Sequence, residues 1–315
     1  SLQNSTILPQ EIQPQKPMPS IILVGGTGRL GWEIAQGLII ASGYDSFVAL
    51  VRSSPTSEKA RQLAELGWTV SQVDFDDAKS VQEALRGAKT VVSTISGPRL
   101  ADIEIDLMNA AKAVDVSLFV PSQFGVDSRR WPRGFPIYDE KRRVLAHAKL
   151  IGLPVLVVSC GLFSDVIFDF LADIPNRKVE LVEGGTALYS FSKRRDVGSV
   201  LAAALGDPEF TSGGCLMMQA DTMPLRDAIA LVEKEIGNLE ISNISLQQSE
   251  AKEQKLLESA FRKGDIAALY EAFRLHVLNR PAAGDTGLDC RSSENKTYGI
   301  EMEPLGVTLN TVYGE

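Results

Sequence analysis

The chain is poor in the residues that metal and hydrolytic chemistry require. Among 315 residues there are only two histidines, His147 and His276, which leaves no material for a histidine-rich metal centre and argues against a serine–histidine hydrolase. The three cysteines, Cys160, Cys215 and Cys290, are odd in number, far apart and without Cys-x-x-Cys spacing. Neither a disulfide framework nor a zinc site is expected, and a reducing, cytoplasmic compartment fits best. Long apolar runs are missing too. The longest uncharged stretch, Leu150 to Ser164, has 15 residues and is interrupted by Pro154 and two glycines, whereas a bilayer takes ~20, so no membrane association is expected. Positive charge is also in deficit. A net charge of −8 repels polyphosphate and argues against nucleic acid as a partner.

What is present is an ordinary globular composition, 44% hydrophobic and 23% charged, with the size for one nucleotide-binding domain and a smaller companion. Residues 1–19 hold four prolines and four glutamines and lack the charged start and apolar core of a signal peptide, which predicts a flexible leader. From Ser20 onward short β-rich runs alternate with amphipathic stretches. Strands are expected at Ile21–Val24, Phe47–Val51, Thr69–Val73, Thr90–Ile95, Leu118–Val120 and Val155–Val158, with helices between them. This alternation predicts an α/β fold: a Rossmann-type doubly wound parallel sheet over residues 20–160, with ligands collecting at the carboxyl ends of its strands. Residues 161–315 are expected to form mainly a smaller α/β substrate lobe. The boundary is soft enough for the two parts to interleave. Within the lobe, helices are expected near Asp165–Leu171, at Asp196–Leu205 and Leu225–Ile236, and as one long element over Ser249–Leu275, with strands at Glu180–Val182 and Ala187–Phe191.

Two motifs select a cofactor. Val24-Gly25-Gly26-Thr27-Gly28-Arg29-Leu30-Gly31 follows an apolar strand and opens a helix. In that setting Gly25 and Gly28 permit a tight turn and close approach to a pyrophosphate, Gly31 permits close helix packing, and the amides of the helix start supply the anion site. The second strand ends in Val51-Arg52-Ser53, where an NAD-specific fold carries an acid for the ribose hydroxyls. Arg52, helped by Lys59, suits a 2′-phosphate instead, so NADPH is the expected cofactor.

A third feature is a lysine on an apolar helix face. At ~100° per residue, Ile137, Val144, Leu145, Ala148 and Ile151 share a face with Lys141 at its centre, while Arg142, Arg143, His147 and Lys149 fall on what reads as a solvated side. Such a lysine either snorkels to water or reaches into a cleft that uses its amine. Near the positive helix end and apolar walls that amine should titrate low, which suits proton transfer or carbonyl polarisation. Tyr138 stands three residues before Lys141, so the Tyr-x-x-x-Lys pair of ordinary short-chain dehydrogenases is absent.

In order along the chain, Gly25-Gly26-Thr27-Gly28-Arg29-Leu30-Gly31, Leu50-Val51-Arg52-Ser53, Phe119-Val120-Pro121-Ser122-Gln123-Phe124-Gly125-Val126-Asp127, and Lys141 followed by Gly152-Leu153-Pro154 resemble one family. It is the NmrA-like and isoflavone reductase-like branch of atypical short-chain reductases, which includes phenylcoumaran benzylic ether reductase. The resemblance implies that Lys141 is the catalytic lysine and that Ser122, Gln123 and Phe124 lie beside the nicotinamide. It also makes Phe163 a substrate-pocket aromatic, to which Ile167 is added. The full cofactor-binding set then comprises Gly25, Thr27, Gly28, Arg29, Leu30, Arg52, Lys59, Ser96, Ser122, Gln123, Phe124 and Lys141, with no metal. Two departures speak against carrying over the plant substrates. Gln123 stands where plant reductases have an acid, and Cys160-Gly161-Leu162-Phe163 stands where they have Ser-Asn-Cys-Phe.

The expected activity is therefore NADPH-dependent reduction of a small aromatic or conjugated oxygenated compound by a monomer or homodimer, with Lys141 assisting protonation or orienting the acceptor. Two alternatives stay open: a non-catalytic NmrA-like regulator that binds the dinucleotide and a protein partner, and a redox-neutral isomerase or dehydratase. Members of the regulator branch usually lack the lysine.

Overall fold

The structure, a computed structural model, describes residues 20–314 except positions 53, 98, 133, 286, 287, 289 and 292. The leader expected at residues 1–19 lies outside the described residues. Five parallel strands form the central sheet: β1 (Ser20–Val24), β2 (Ser46–Val51), β3 (Thr69–Gln72), β4 (Ala88–Ser93) and β5 (Leu118–Val120), in the order β3-β2-β1-β4-β5. β1 reads Ser-Ile-Ile-Leu-Val with every residue buried, as a central strand covered by helices on both faces must be. The crossovers are α1 (Arg29–Leu38), α2 (Glu58–Glu65), α3 (Ala78–Leu85) and α4 (Leu100–Ala113). After β5 comes α5 (Pro136–Ile151), opened by Pro136 and stopped by Gly152 in the left-handed conformation at φ 63°. β6 (Leu156–Ser159) continues the sheet beyond β5 through a parallel bridge between Phe119 and Val155. This is the expected doubly wound α/β sheet.

The remaining elements are β7 (Leu162–Phe163), α6 (Phe168–Leu171), β8 (Lys178–Val182), β9 (Leu188–Ser192), α7 (Arg194–Leu205), β10 (Gly214–Met217), β11 (Asp221–Pro224), α8 (Leu225–Ile236) and β12 (Glu240–Ile244). They are followed by α9 (Leu246–Lys263), α10 (Ile266–Ala282) and α11 (Leu305–Tyr313). β10 pairs with β6, whereas β11-β9-β7 and β12-β8 form separate small sheets. α7 returns to pack on α1 beside the central sheet. Gly37 on α1 meets Gly198 on α7 so closely that a Cβ on Gly37 would stand 2.3 Å from the Ser199 amide nitrogen. Val197, Val200 and Leu201 consequently share one core with Ile34 and Leu38. A second core lies under α8, α10 and α11 and includes Trp131 and Phe135 from the approach to α5 and Tyr138 from its first turn.

The helix expected over Ser249–Leu275 is two helices. Gly264, left-handed at φ 65°, ends α9, and the Asp265 side chain then caps α10 by accepting from the Ala268 amide. A two-residue break lets the helices fold back on each other, with Glu253 on α9 accepting from Asn279 on α10 at 2.7 Å. In the Asp165–Leu171 segment only the last turn, α6, is helical. No helix of the described residues is long and apolar enough to cross a membrane.

Candidate active site

The strand order reverses between β1 and β4, and their carboxyl ends therefore part to leave a crevice, the usual ligand position in a doubly wound sheet. The walls of this crevice are tied together. The Thr94 amide and hydroxyl, just past β4, both donate to the Val24 carbonyl at 2.9 Å. The chain leaves β1 through Gly25 at φ 87°, a conformation in which side chains are strained, and turns by a 2.8 Å bond from the Gly28 amide to the Gly25 carbonyl. Gly28 then caps α1. Gly31 packs against the loop itself: a Cβ there would lie 2.1 Å from the Gly25 carbonyl oxygen and 2.6 Å from the Thr94 hydroxyl.

A cavity of about 330 Å³ opens at this point, lined by Gly25, Thr27, Gly28, Arg52 and Ser96 of the expected set. Phe75, Thr94, Ile95 and Ile103, which sequence reasoning did not single out, line it too. Thr27 and Gly28 also border a neighbouring cavity of about 400 Å³ lined by Arg29, Lys59, Val166 and Arg194. Arg52 and Lys59 thus open onto adjacent cavities that share the glycine loop. Leu30 is half-buried against the first core. Arg194 is a further residue missed in the sequence. It pairs with Asp165 at 2.8 Å and donates to the Arg29 carbonyl at 3.2 Å, clasping the loop from the second half of the chain.

At the end of β5 the Ser122–Phe124 loop meets α5. Gln123 is fully buried: its side-chain amide donates to the Lys141 carbonyl at 2.9 Å, and its oxygen accepts from the Ser128 hydroxyl at 3.1 Å. Its side chain therefore braces the loop against α5 instead of facing the crevice. Ser122 and Phe124 are also largely buried, and the Lys141 amine donates to the Phe124 carbonyl at 3.3 Å. Loss of water around that amine lowers its pKa to about 8, although Glu104 and Cys160 pull it back upward. Glu104, on α4, was not foreseen. It is wholly buried, accepts from the Ser122 amide at 2.7 Å, and is pushed up to about 7 by that burial. Burial likewise pushes the Cys160 thiol up to about 12, which keeps it protonated and unreactive at neutral pH.

Arg142 is not on a solvated side. Its guanidinium turns back beneath the 128–132 loop, donating to the carbonyls of Ser128 at 2.6 Å, Trp131 at 3.3 Å and Pro132 at 3.2 Å, and pairs with Asp139 at 2.5 Å. Four acceptors outweigh the solvation that helical phase alone assigned to it. Tyr138 is enclosed beside Trp131, with ring centroids 4.8 Å apart, and burial raises its pKa far beyond neutral pH. Phe163 is half-buried against the first core and Ile167 against the second, while Phe168 is fully buried and stacked on Phe191.

At one end of a doubly wound sheet lie a glycine-lined cavity bordered by Arg52 and, beyond β5, a lysine amine whose pKa is lowered. The NmrA-like family model matches residues 18–276. The chain belongs to the NmrA-like family. Among curated relatives, a phenylcoumaran benzylic ether reductase of Pinus taeda is 29% identical over 231 residues, covering 69% of this chain and 74% of that protein. Two solved structures share the fold. An isoflavone reductase superposes with a TM-score of 0.74 at 22% identity, covering 93% of this chain and 99% of that one. AtPrR2 with NADP+ and (+)pinoresinol superposes with a TM-score of 0.75 at 20% identity, covering 94% and 99%.

Proposed function

We propose that this NmrA-like protein is an NADPH-dependent reductase of a small aromatic or conjugated oxygenated compound. The observation that carries the reading is the Lys141 amine: hydrogen-bonded to the Phe124 carbonyl beyond the carboxyl end of β5, with a pKa that loss of water lowers to about 8. The relatives support it through a phenylcoumaran benzylic ether reductase and a complex holding both NADP+ and an aromatic compound.

The cradle suits the dinucleotide on its own geometry. Gly25, at φ 87°, and Gly28 line it without side chains, and the amides at the start of α1 suit a pyrophosphate. Arg52 opens onto the same cavity and Lys59 onto the adjoining one, which suits a 2′-phosphate. NADPH, when bound, supplies the hydride. The work of this chain is to position and to hold a proton. With a pKa about one unit above neutrality, the Lys141 amine is protonated in roughly ten molecules to one at pH 7, yet close enough to its midpoint to release that proton to an oxygen of the acceptor.

The test is Lys141→Ala, with turnover sought by NADPH absorbance against flavonoid-like, quinone and polyketide-derived aromatic compounds. Turnover should fall ~10²–10⁴-fold while most NADPH affinity is retained. Lys141→Arg should not restore it, because a guanidinium does not give up its proton near neutral pH. Consumption of no compound in the panel, together with a difference between apo and NADPH-bound forms in affinity for a protein partner, would replace the reductase reading with the regulator.

A further inference from the structure

We infer that Glu104 is a positioning residue for Lys141: its buried carboxylate fixes the Ser122–Phe124 loop on which the amine rests and faces that amine with the opposite charge. The inference rests on the reductase reading for its meaning in catalysis, though not for its test. Glu104 projects from α4 among Leu100, Ala101, Leu107 and Met108, all buried, and none of its own surface reaches solvent. A carboxyl in such a place is costly unless its oxygens are engaged. One oxygen, Oε1, accepts from the Ser122 amide at 2.7 Å. The Ser93 hydroxyl at the end of β4, buried like the other oxygen, Oε2, also faces the carboxyl and favours its ionised form.

The connection to Lys141 runs by two routes. Through the backbone, Glu104 holds Ser122, and two residues later the Phe124 carbonyl receives the Lys141 amine at 3.3 Å, while Gln123 ties the same loop to the Lys141 carbonyl. Through space, Glu104 and Lys141 attract each other without forming a direct ion pair. Glu104 from α4 and Cys160 from the segment after β6 are the titratable groups that face the amine, and Cys160 remains a neutral thiol. The negative charge in this pocket therefore comes from Glu104. An ionised Glu104 favours the ammonium form, and a neutral side chain there leaves the amine with its desolvation unopposed, so its pKa must fall.

The experiment titrates Lys141 in the full chain by pH-dependent acylation of its amine, read by mass spectrometry, and needs no substrate. Glu104→Gln keeps an acceptor for the Ser122 amide and removes only the charge. The Lys141 midpoint is expected to drop by about one pH unit, with NADPH affinity within about threefold of wild type. A midpoint unchanged in Glu104→Gln overturns the inference and reduces Glu104 to a structural role. Where that variant fails to fold, wild-type protein decides. The side-chain carbon resonance of Lys141, assigned through Lys141→Arg, should show a second inflection near pH 7 as Glu104 titrates, and a single inflection overturns the inference. A lowered midpoint in Glu104→Gln combined with full turnover in Lys141→Ala would leave the coupling standing and remove the catalytic reading instead.

Discussion

Gly31→Ala gives the most direct test of how the glycine loop and α1 cooperate. The added methyl would begin 2.1 Å from the Gly25 carbonyl oxygen and 2.6 Å from the Thr94 hydroxyl. Ordinary contact begins at 3.4 Å, so either α1 or the loop must retreat by about 1.3 Å, and both obstacles are held, Gly25 by the Gly28 amide and Thr94 by Val24. Two effects oppose each other. Alanine is the better helix former by at most about 1 kcal/mol. Overpacking costs about 1–3 kcal/mol, and this site lies at the costly end because backbone is struck. The clash wins, by about 1–2 kcal/mol of stability. The displacement also carries the first amides of α1 away from the anion position. Losing one hydrogen bond to a charged group costs about 1.5–3 kcal/mol, so NADPH affinity should fall roughly 10- to 100-fold. Fluorescence titration with NADPH and thermal unfolding with and without the cofactor measure the two effects separately. Affinity within twofold of wild type in folded Gly31→Ala protein would show that the dinucleotide does not use this cradle.

Three other outcomes are expected. Wild-type protein should bind NADPH at least tenfold more tightly than NADH, a gap of ~1.4 kcal/mol, and Arg52→Ala should narrow it in calorimetric titrations; equal wild-type affinities would refute a 2′-phosphate site. Because the Lys141 pKa is lowered to about 8 and the reaction needs the protonated amine, kcat/KM should be level below pH 8 and fall about tenfold per unit above it; a rise through that range would mean that Lys141 acts as a base. Glu253→Ala should cost about 2–5 kcal/mol in denaturant unfolding, since it strands buried His276 and Asn279, each bonded to Glu253 at 2.7 Å; a loss below 1 kcal/mol would contradict that accounting.

The first half of the fold was legible because fully buried parallel strands write themselves as short apolar runs. Ile21–Val24 and Leu118–Val120 need no knowledge of their partners to be recognised. The second half was less legible for a physical reason. β10, β11 and β12 are four or five residues long, and each is defined by a partner far away in sequence, as Gly214–Met217 is by Leu156–Ser159. Gly264 was readable as a helix stop, but the helical period resumes two residues later, so the pattern looked continuous. Arg142 misled for a related reason: helical phase gives the direction of a side chain, not the loop that folds over it.

Lys141 and Glu104 show what a pairwise reading adds at the site. Lys141 was found because a charge interrupted the apolar face formed by Val144 and Ala148. The same signal marks Glu104, since Leu100, Ala101, Glu104, Leu107, Met108 and Ala111 follow the 3–4 spacing of a buried stripe. Each charge alone suggests snorkelling or a tolerated defect. Opposite charges inward on consecutive sheet-covering helices suggest something else, because a packed interior accepts a charge far more readily when an opposite charge lies near. The expected energetic consequence is non-additive. Replacing Glu104 alone leaves the Lys141 ammonium without its counter-charge, so a Glu104→Leu, Lys141→Met double variant should be more stable than Glu104→Leu by itself, as measured in denaturant at pH 7. Strict additivity of the two substitutions would mean that the helices bury these charges independently.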